Sequence, residues 1–320
     1  MSNTCEPASF GRNKEDVYDE SYRKARKLSS DYFRPMLDVK AVGLVDLISE
    51  RLLGASQRDK AIRPELYNLN VYGKNYVHST LIQIIYHWIG EGSFFKAHVD
   101  TPRSENMFGS LVVFYPTAHE GGSLLMRKQD EQWSFDSAKV LAKHKDPHLG
   151  YVALYSDVEH EVSPVTSGYR VTATYNLYFD QSAHALPAPL SSVSNIDDFK
   201  TELSTLLIDP KFLPKGGHFG FGLEYAYPVS TSGGNLNNLK GCLKGVDADL
   251  MNVFQELGLV TSFWSIIRNG DTVYGCKNHI PQIVDDVGFG QEQEFFEWLV
   301  NDENAFILDS DSMEIDIDVN

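Results

Sequence analysis

The chain has 320 residues, 42% of them hydrophobic, with 44 acidic against 28 basic residues and a formal net charge of −16. That length suits one large or two small domains with an ample core. The acidic balance argues against a nucleic-acid partner, which needs a basic face to neutralise phosphates. No apolar run approaches the roughly 20 residues of a membrane span, and the opening MSNTCEPASFGRNKEDV lacks the charged-then-apolar order of a secretory signal. The expectation is a globular protein of cytoplasm or nucleus that engages neither membrane nor nucleic acid. Cys5, Cys242 and Cys276 are odd in number and widely spaced, which indicates neither a disulfide framework nor a zinc site.

Residues 1–36 read as an N-terminal extension. Residues 38–54 carry the clearest helical pattern: Asp38 is a capping residue, Val42, Val45, Leu47, Ile48 and Leu52 form an apolar stripe, and Gly54 stops it. ELYNLNVYG (65–73) reads as a strand. KNYVHSTLIQIIYHWIG (74–90) places Val77, Leu81, Ile84, Ile85 and Trp88 at helical spacing, yet its β-branched and aromatic content fits a strand equally.

The stretch FFKAHVDTPRSENMFGSL (94–111) is the one around which the chain is organised. In an extended strand His98 and Asp100 point to one side, with Val99 expected to turn back into the core. An imidazole and a carboxylate side by side suit a divalent first-row metal, and one more histidine completes a two-His-one-carboxylate set. The motif alone is weak, because about one His-x-Asp/Glu is expected by chance in such a composition, and His144-Lys145-Asp146 also fits. That second copy lies in a polar run closed by Pro147 and reads as a solvated loop.

His98 instead precedes SLVVFYP (110–116), GSLLMR (122–127), YVALYSD (151–157) and YRVTATYNLYF (169–179), strand-like runs separated by turn signals. Short strands at this spacing predict an antiparallel sandwich or jelly roll. The third ligand is best sought on a later strand. His160 in SDVEHEVSPV is the candidate, while His119 and His148 lie in turns. Ten residues on, Arg170 and Thr172 share a strand face and offer a guanidinium fork and a hydroxyl to a carboxylate, the alternative for Arg170 being a cross-strand salt bridge.

QSAHALPAPLSSVS (181–194) reads as a linker. Beyond it, NIDDFKTELSTLLI (195–208) reads as a helix and GHFGFGLEYAYPVS (217–230) as a strand. A second helix begins near Asp247 and ends at Gly258, GLVTSFWSIIRNGDTVYG forms a hairpin turning at Asn269-Gly270, and EQEFFEWLV (292–300) forms a short helix. Residues 195–300 show no ligand cluster, His218 and His279 standing alone. Residues 301–320 hold seven acids and no Lys or Arg, and read as a disordered acidic tail with partner docking as the sharper alternative.

His98-x-Asp100, His160 and Arg170-x-Thr172, in this order and spacing, resemble the Fe(II)/2-oxoglutarate-dependent dioxygenases. The text LNVYG, FFKAHVDTPRSENMFGSLVVFYP, EGGSLLMR and HEVSPVTSGYRVTATYNL is similar to the prolyl 4-hydroxylase-like branch of fungi and plants, and ASFGRNKEDVYDESYRKARKL to what precedes that domain. The resemblance covers about residues 5–180 and, more loosely, 217–265. It implies a mixed α/β (α+β) fold: a double-stranded β-helix (jelly-roll) barrel over 37–180 with buttressing helices, followed by a C-terminal α+β appendage. It implies Fe(II) on His98, Asp100 and His160, and 2-oxoglutarate chelating that metal with its far carboxylate on Arg170 and Thr172 and help from Tyr72. With O2 as second cosubstrate, 2-oxoglutarate would leave as succinate and CO2 while a protein side chain (proline by analogy) or a small metabolite is hydroxylated; ascorbate is the accessory reductant the resemblance allows. Asp100, in place of a small residue, disfavours the halide-binding variant of this chemistry.

The departure is residues 74–90, which lengthen a normally short connection between Tyr72 and the His98 motif. One reading makes them an apolar flap over the iron site. The other makes them a translated unspliced intron, in which case the barrel would bind iron poorly and act as a non-catalytic binding module. Arg103, Glu105 and Arg127 are candidates for substrate contact, against a reading as rim charge.

Overall fold

The computed structural model describes residues 6–12, 15–53, 57, 60–73, 92–143, 146, 148–184, 195–229, 234–269, 272–281, 299–300 and 305–308. Residues 74–90, His144 and most of 292–300 therefore lie outside the described residues. The chain divides into two compact units, one of residues 1–53 with 58–186 and one of 54–57 with 187–320.

In the first unit the elements run β1 (Glu6–Pro7), β2 (Phe10–Arg12), β3 (Glu15–Val17), β4 (Arg23–Lys24), β5 (Arg26–Ser29), α1 (Leu44–Leu52), β6 (Lys60–Gly73), β7 (Phe94–His98), β8 (Met107–Phe114), β9 (His119–Gly121), β10 (Leu124–Lys128), β11 (Glu131–Phe135), α2 (Ser137–Ala142), β12 (Gly150–Tyr155), β13 (Glu159–Val162) and β14 (Val165–His184). A seven-stranded sheet takes the order β1-β5-β6-β14-β8-β12 with β9 also on β14, and a five-stranded sheet the order β11-β10-β13-β7-β4. The described pairings are antiparallel and helices are few, which is consistent with the expected jelly roll.

Tyr72, Phe95, Phe114, Leu124, Val162 and Val165, drawn from strands of both sheets, are buried together in one apolar cluster with Phe10. The alternate residues Leu111 and Val113 of β8 are just as buried. Both faces of β8 are thus covered, which is why its sequence reads as a continuous apolar run. The N-terminal residues are woven into both sheets: β5 pairs with β6 and β4 with β7.

The helix expected over 38–54 is shorter, with α1 starting at Leu44. The Asp38 carboxylate accepts from the N–H groups of Lys40 and Ala41 at 2.9 and 3.2 Å, closing a separate turn, and the chain enters the helix through Gly43 at φ 74°. The apolar stripe shifts accordingly. Leu44, Val45 and Ile48 are buried, whereas Val42 is exposed. Tyr155 donates its hydroxyl to Leu52 O at 2.6 Å, fastening the end of α1 to the large sheet.

The second unit contains α3 (Asn195–Ile208), α4 (Gly245–Glu256) and a three-stranded sheet of β15 (Trp264–Asn269), β16 (Thr272–Lys277) and β17 (Phe306–Leu308). α3 matches the sequence expectation, α4 begins two residues before the expected Asp247, and the β15–β16 hairpin forms with Asn269, expected at the turn, paired to Thr272 at the end of β15. The strand expected over 217–230 is absent: described residues 217–229 are irregular. Gly220 and Gly222 have nothing within reach of a side chain, Phe219 and Phe221 turn onto Phe254, and the N–H groups of Glu224 and Tyr225 donate to Asp247 of α4 rather than to a neighbouring strand. A second correction concerns the acidic tail. Its apolar start, Phe306–Leu308, pairs with Val273–Gly275 of β16 instead of standing free. β14 likewise continues to His184, into the stretch expected as linker. Among the described residues no helix is long and apolar enough to cross a membrane.

Candidate metal centre

β7 and β13 pair so that His98 and His160 are direct partners across the small sheet, and their imidazoles lie with centroids 4.2 Å apart. Each ring is oriented by its own backbone. His98 Nδ1 donates to Lys96 O at 2.8 Å and His160 Nδ1 to Val158 O at 3.0 Å. With Nδ1 carrying the proton, both Nε2 lone pairs are left for a ligand.

Asp100 reaches the same point by a different route from the one expected. β7 ends at His98, so the strict alternation of a strand no longer governs the next two residues, and Val99 is 52% exposed rather than turned into the core. The Asp100 N–H crosses to Ser156 O at 3.2 Å and its Oδ2 accepts from Ser110 Oγ at 2.5 Å. The carboxylate is therefore held by the large sheet, the two imidazoles by the small one. His160 Nε2 and Asp100 Oδ1 are 3.8 Å apart, and the ligand atoms of all three residues lie within 4.8 Å of one another. Burial, and next the neighbouring His160 ring, push the His98 imidazolium pKa down to about 2, so its nitrogen stays available at any ordinary pH.

The three residues open on a cavity of about 110 Å³. Tyr72, Arg170 and Thr172 line it, as Arg170 and Tyr72 are partners across β14 and β6 and Thr172 follows two residues on. Arg170 and Thr172 are each 2% exposed. The guanidinium sits 5.0 Å from the Tyr72 ring centroid and 4.9 Å from that of Phe114, its Nε is buried with no hydrogen-bond partner, and burial lowers its pKa to about 10. The salt bridge weighed for Arg170 is not found among the described residues. A buried, unsatisfied guanidinium is costly unless an anion completes it.

His119 is engaged elsewhere, with Ser137 and Thr117 O, and is not part of the cluster. Arg127 is paired to Glu159 and Glu161, while Arg103 lines the cavity and donates to Tyr67 OH at 2.7 Å. Sequence reasoning missed Ser110, Arg23, Asn70, Thr174 and Asn176, which also line the cavity. Ser110 left a trace as a polar residue at the inward-facing parity of an otherwise apolar strand, and Thr174 and Asn176 as polar residues at the parity of Arg170 and Thr172.

Residues 82–178 match the family model for the 2OG-Fe(II) oxygenase superfamily. Over this stretch the chain is similar to the 2OG-Fe(II) oxygenases. The match contains all three cluster residues together with Arg170 and Thr172, and it begins inside the 74–90 segment. No curated protein matches the chain. Among solved structures, the chain is similar to a Pseudomonas putida prolyl-4-hydroxylase, with 16% identity, TM-score 0.30, and coverage of 50% of this chain and 75% of that one. It is also similar to a Trichoplax adhaerens prolyl hydroxylase in complex with a hypoxia inducible factor peptide fragment (18% identity, TM-score 0.35, 54% and 71% covered). A third is a 2OG-Fe(II) oxygenase family oxidoreductase from Burkholderia pseudomallei (13% identity, TM-score 0.27, 52% and 89% covered). The family that the match names uses Fe(II), 2-oxoglutarate and O2, and among the described residues the His-Asp-His cluster has the donor set for iron.

Proposed function

We propose that the chain is a 2-oxoglutarate-dependent dioxygenase that hydroxylates a protein side chain, proline by analogy, or a small metabolite, releasing succinate and CO2. The observation that carries the reading is the pairing of the His98, Asp100 and His160 cluster with the orphaned Nε of buried Arg170 in one cavity. A metal alone would explain the first feature and leave the second unexplained; a chelating dicarboxylate explains both. Bound iron and 2-oxoglutarate would supply the oxidising chemistry.

The chain's own residues do the rest. His98 and His160 present neutral nitrogens fixed by Lys96 O and Val158 O. Asp100, steadied by Ser110, adds one negative charge to the donor set. Arg170 and Thr172 take the far carboxylate of 2-oxoglutarate, and Tyr72 packs beneath it. Phe95, Leu124 and Val162 wall the cavity with apolar surface that excludes water from the reacting centre. In this reading the closed jelly-roll domain takes in the N-terminal strands β1, β4 and β5 together with residues 37–180, with residues 195–300 as an α+β appendage and the acidic residues after 308 as a candidate partner-binding segment.

The test is conversion of 2-oxoglutarate to succinate in air by the purified chain with Fe(II), with and without ascorbate. Turnover that disappears in His160→Ala and Arg170→Gln supports the proposal. A folded chain that binds neither iron nor 2-oxoglutarate would instead be a non-catalytic binding module.

A further inference from the structure

Besides Asp100, the charged residues lining the cavity are Arg23, Arg103 and Arg170. Among the described residues that is three guanidiniums facing one carboxylate, and the carboxylate belongs to the metal cluster. The inversion is marked in a chain whose net charge is −16. Arg170 is accounted for by the cosubstrate and Arg103 is engaged with Tyr67 at the cavity wall. Arg23 is not accounted for.

Arg23 lies on β4, which precedes the oxygenase match by some sixty residues of sequence yet pairs with β7 of the metal centre. It is 8% exposed, and no carboxylate among the described residues pairs with it. Nη1 donates to Ser9 O and Nη2 to Asn70 Oδ1 at 2.9 Å, while Nε is buried with no partner. Asn70 is itself fixed by donating to Thr174 Oγ1 at 3.1 Å. The guanidinium carbon lies 4.2 Å from the Phe95 ring centroid, and His98 stacks on the same ring at 3.5 Å between centroids. The Arg23 guanidinium thus shares the Phe95 ring with an imidazole of the His-Asp-His cluster.

We infer that Arg23 is a specificity-determining residue that receives a carboxylate of the substrate. This rests on the oxygenase reading above, and assigns to the second arginine what Arg170 does for the cosubstrate. A guanidinium with no internal counter-ion gains from an anion the charge-assisted bonds its own fold does not supply. Arg23 lines the same cavity of about 110 Å³ as the His-Asp-His cluster, so a carboxylate that reaches it enters beside the proposed metal site. The N-terminal residues are in this view part of the substrate pocket.

The experiment uses the full chain loaded anaerobically with Fe(II) and saturating 2-oxoglutarate, whose charge-transfer absorbance reports the site. Butyrate and its uncharged analogue butyramide are the probes. Butyrate should shift the band in a saturable, one-site titration and butyramide should not. Arg23→Gln should form the same band with unchanged 2-oxoglutarate affinity and bind butyrate about tenfold more weakly or worse; Arg23→Lys should recover part of that loss. Equal response to butyrate and butyramide in the unaltered chain overturns the inference even if Arg23→Gln does not fold. So does an Arg23→Gln variant that binds butyrate normally or loses 2-oxoglutarate instead. Absence of the band in the unaltered chain overturns the oxygenase reading and this inference with it, whereas a band indifferent to butyrate overturns the inference alone.

Discussion

Ser110 donates its hydroxyl to Asp100 Oδ2 at 2.5 Å, so the one carboxylate of the metal cluster is steadied by the sheet opposite the two histidines. Partners that orient a ligating carboxylate commonly contribute about 10–100-fold to metal affinity. Ser110→Ala should therefore weaken Fe(II) binding by about that factor while leaving the melting temperature of the metal-free chain within a few degrees. Titration calorimetry under anaerobic conditions checks the first quantity and circular dichroism the second. Unchanged iron affinity would show that the Asp100 N–H bond to Ser156 O and strand geometry suffice to place the carboxylate.

Arg170 is a buried charge with an unpaired donor, which in the proposed site the far carboxylate of 2-oxoglutarate would complete. Arg170→Met should leave the ligand-free chain as stable or more stable, by about 1 kcal/mol or more. The same variant should lose the thermal stabilisation that 2-oxoglutarate confers on the unaltered chain. A variant that is less stable yet still stabilised by 2-oxoglutarate would place the cosubstrate elsewhere.

Gly122 abuts the same guanidinium. A Cβ there would stand 2.8 Å from Arg170 Cδ and 2.8 Å from Val165 Cγ2, at a φ of +69°. Gly122→Ala should cost roughly 1–2 kcal/mol from the left-handed backbone alone and push Arg170 out of register. 2-Oxoglutarate affinity should fall about tenfold or more, with Fe(II) affinity unchanged because no cluster residue touches the new methyl.

The low His98 pKa carries a sign for stability. Between about 2 in the folded chain and 6.5 in the unfolded chain, the unfolded state binds a proton that the folded state refuses. Stability of the metal-free protein should therefore fall as pH drops below 6.5, by at most about 1.4 kcal/mol per pH unit. Urea unfolding at pH 7.5, 6.5 and 5.5 measures the slope, and His98→Asn should flatten it. A slope unaffected by the substitution would assign the acid sensitivity to other groups.

The parts of this site that are legible in sequence share a property: they recur at fixed strand parity on strongly patterned strands. His98, His160, Arg170, Thr172 and Tyr72 all lie at or within strands whose register follows from alternation, and cross-strand pairing brings them together. Val99 departs from that parity because β7 stops one residue earlier, where a hydrogen bond to Ser156 takes over from the ladder. Arg23 is invisible in sequence for a different reason. It belongs to a two-residue strand, 72 positions before its pairing partner Phe95, and no local pattern marks so distant a contact. The irregular 217–229 segment has the composition of a strand, but its aromatic residues pack on α4 and its glycines leave no side chain for a sheet to bury.

The most direct measurement is the anaerobic visible spectrum of the purified chain titrated with Fe(II) and then 2-oxoglutarate, beside His160→Ala and Arg170→Gln. The account predicts a metal-to-ligand charge-transfer band at one iron per chain in the unaltered protein. It predicts no band in His160→Ala, and in Arg170→Gln a band only at far higher 2-oxoglutarate. A folded, unaltered chain that shows no band, or one whose band survives loss of His160, would contradict it.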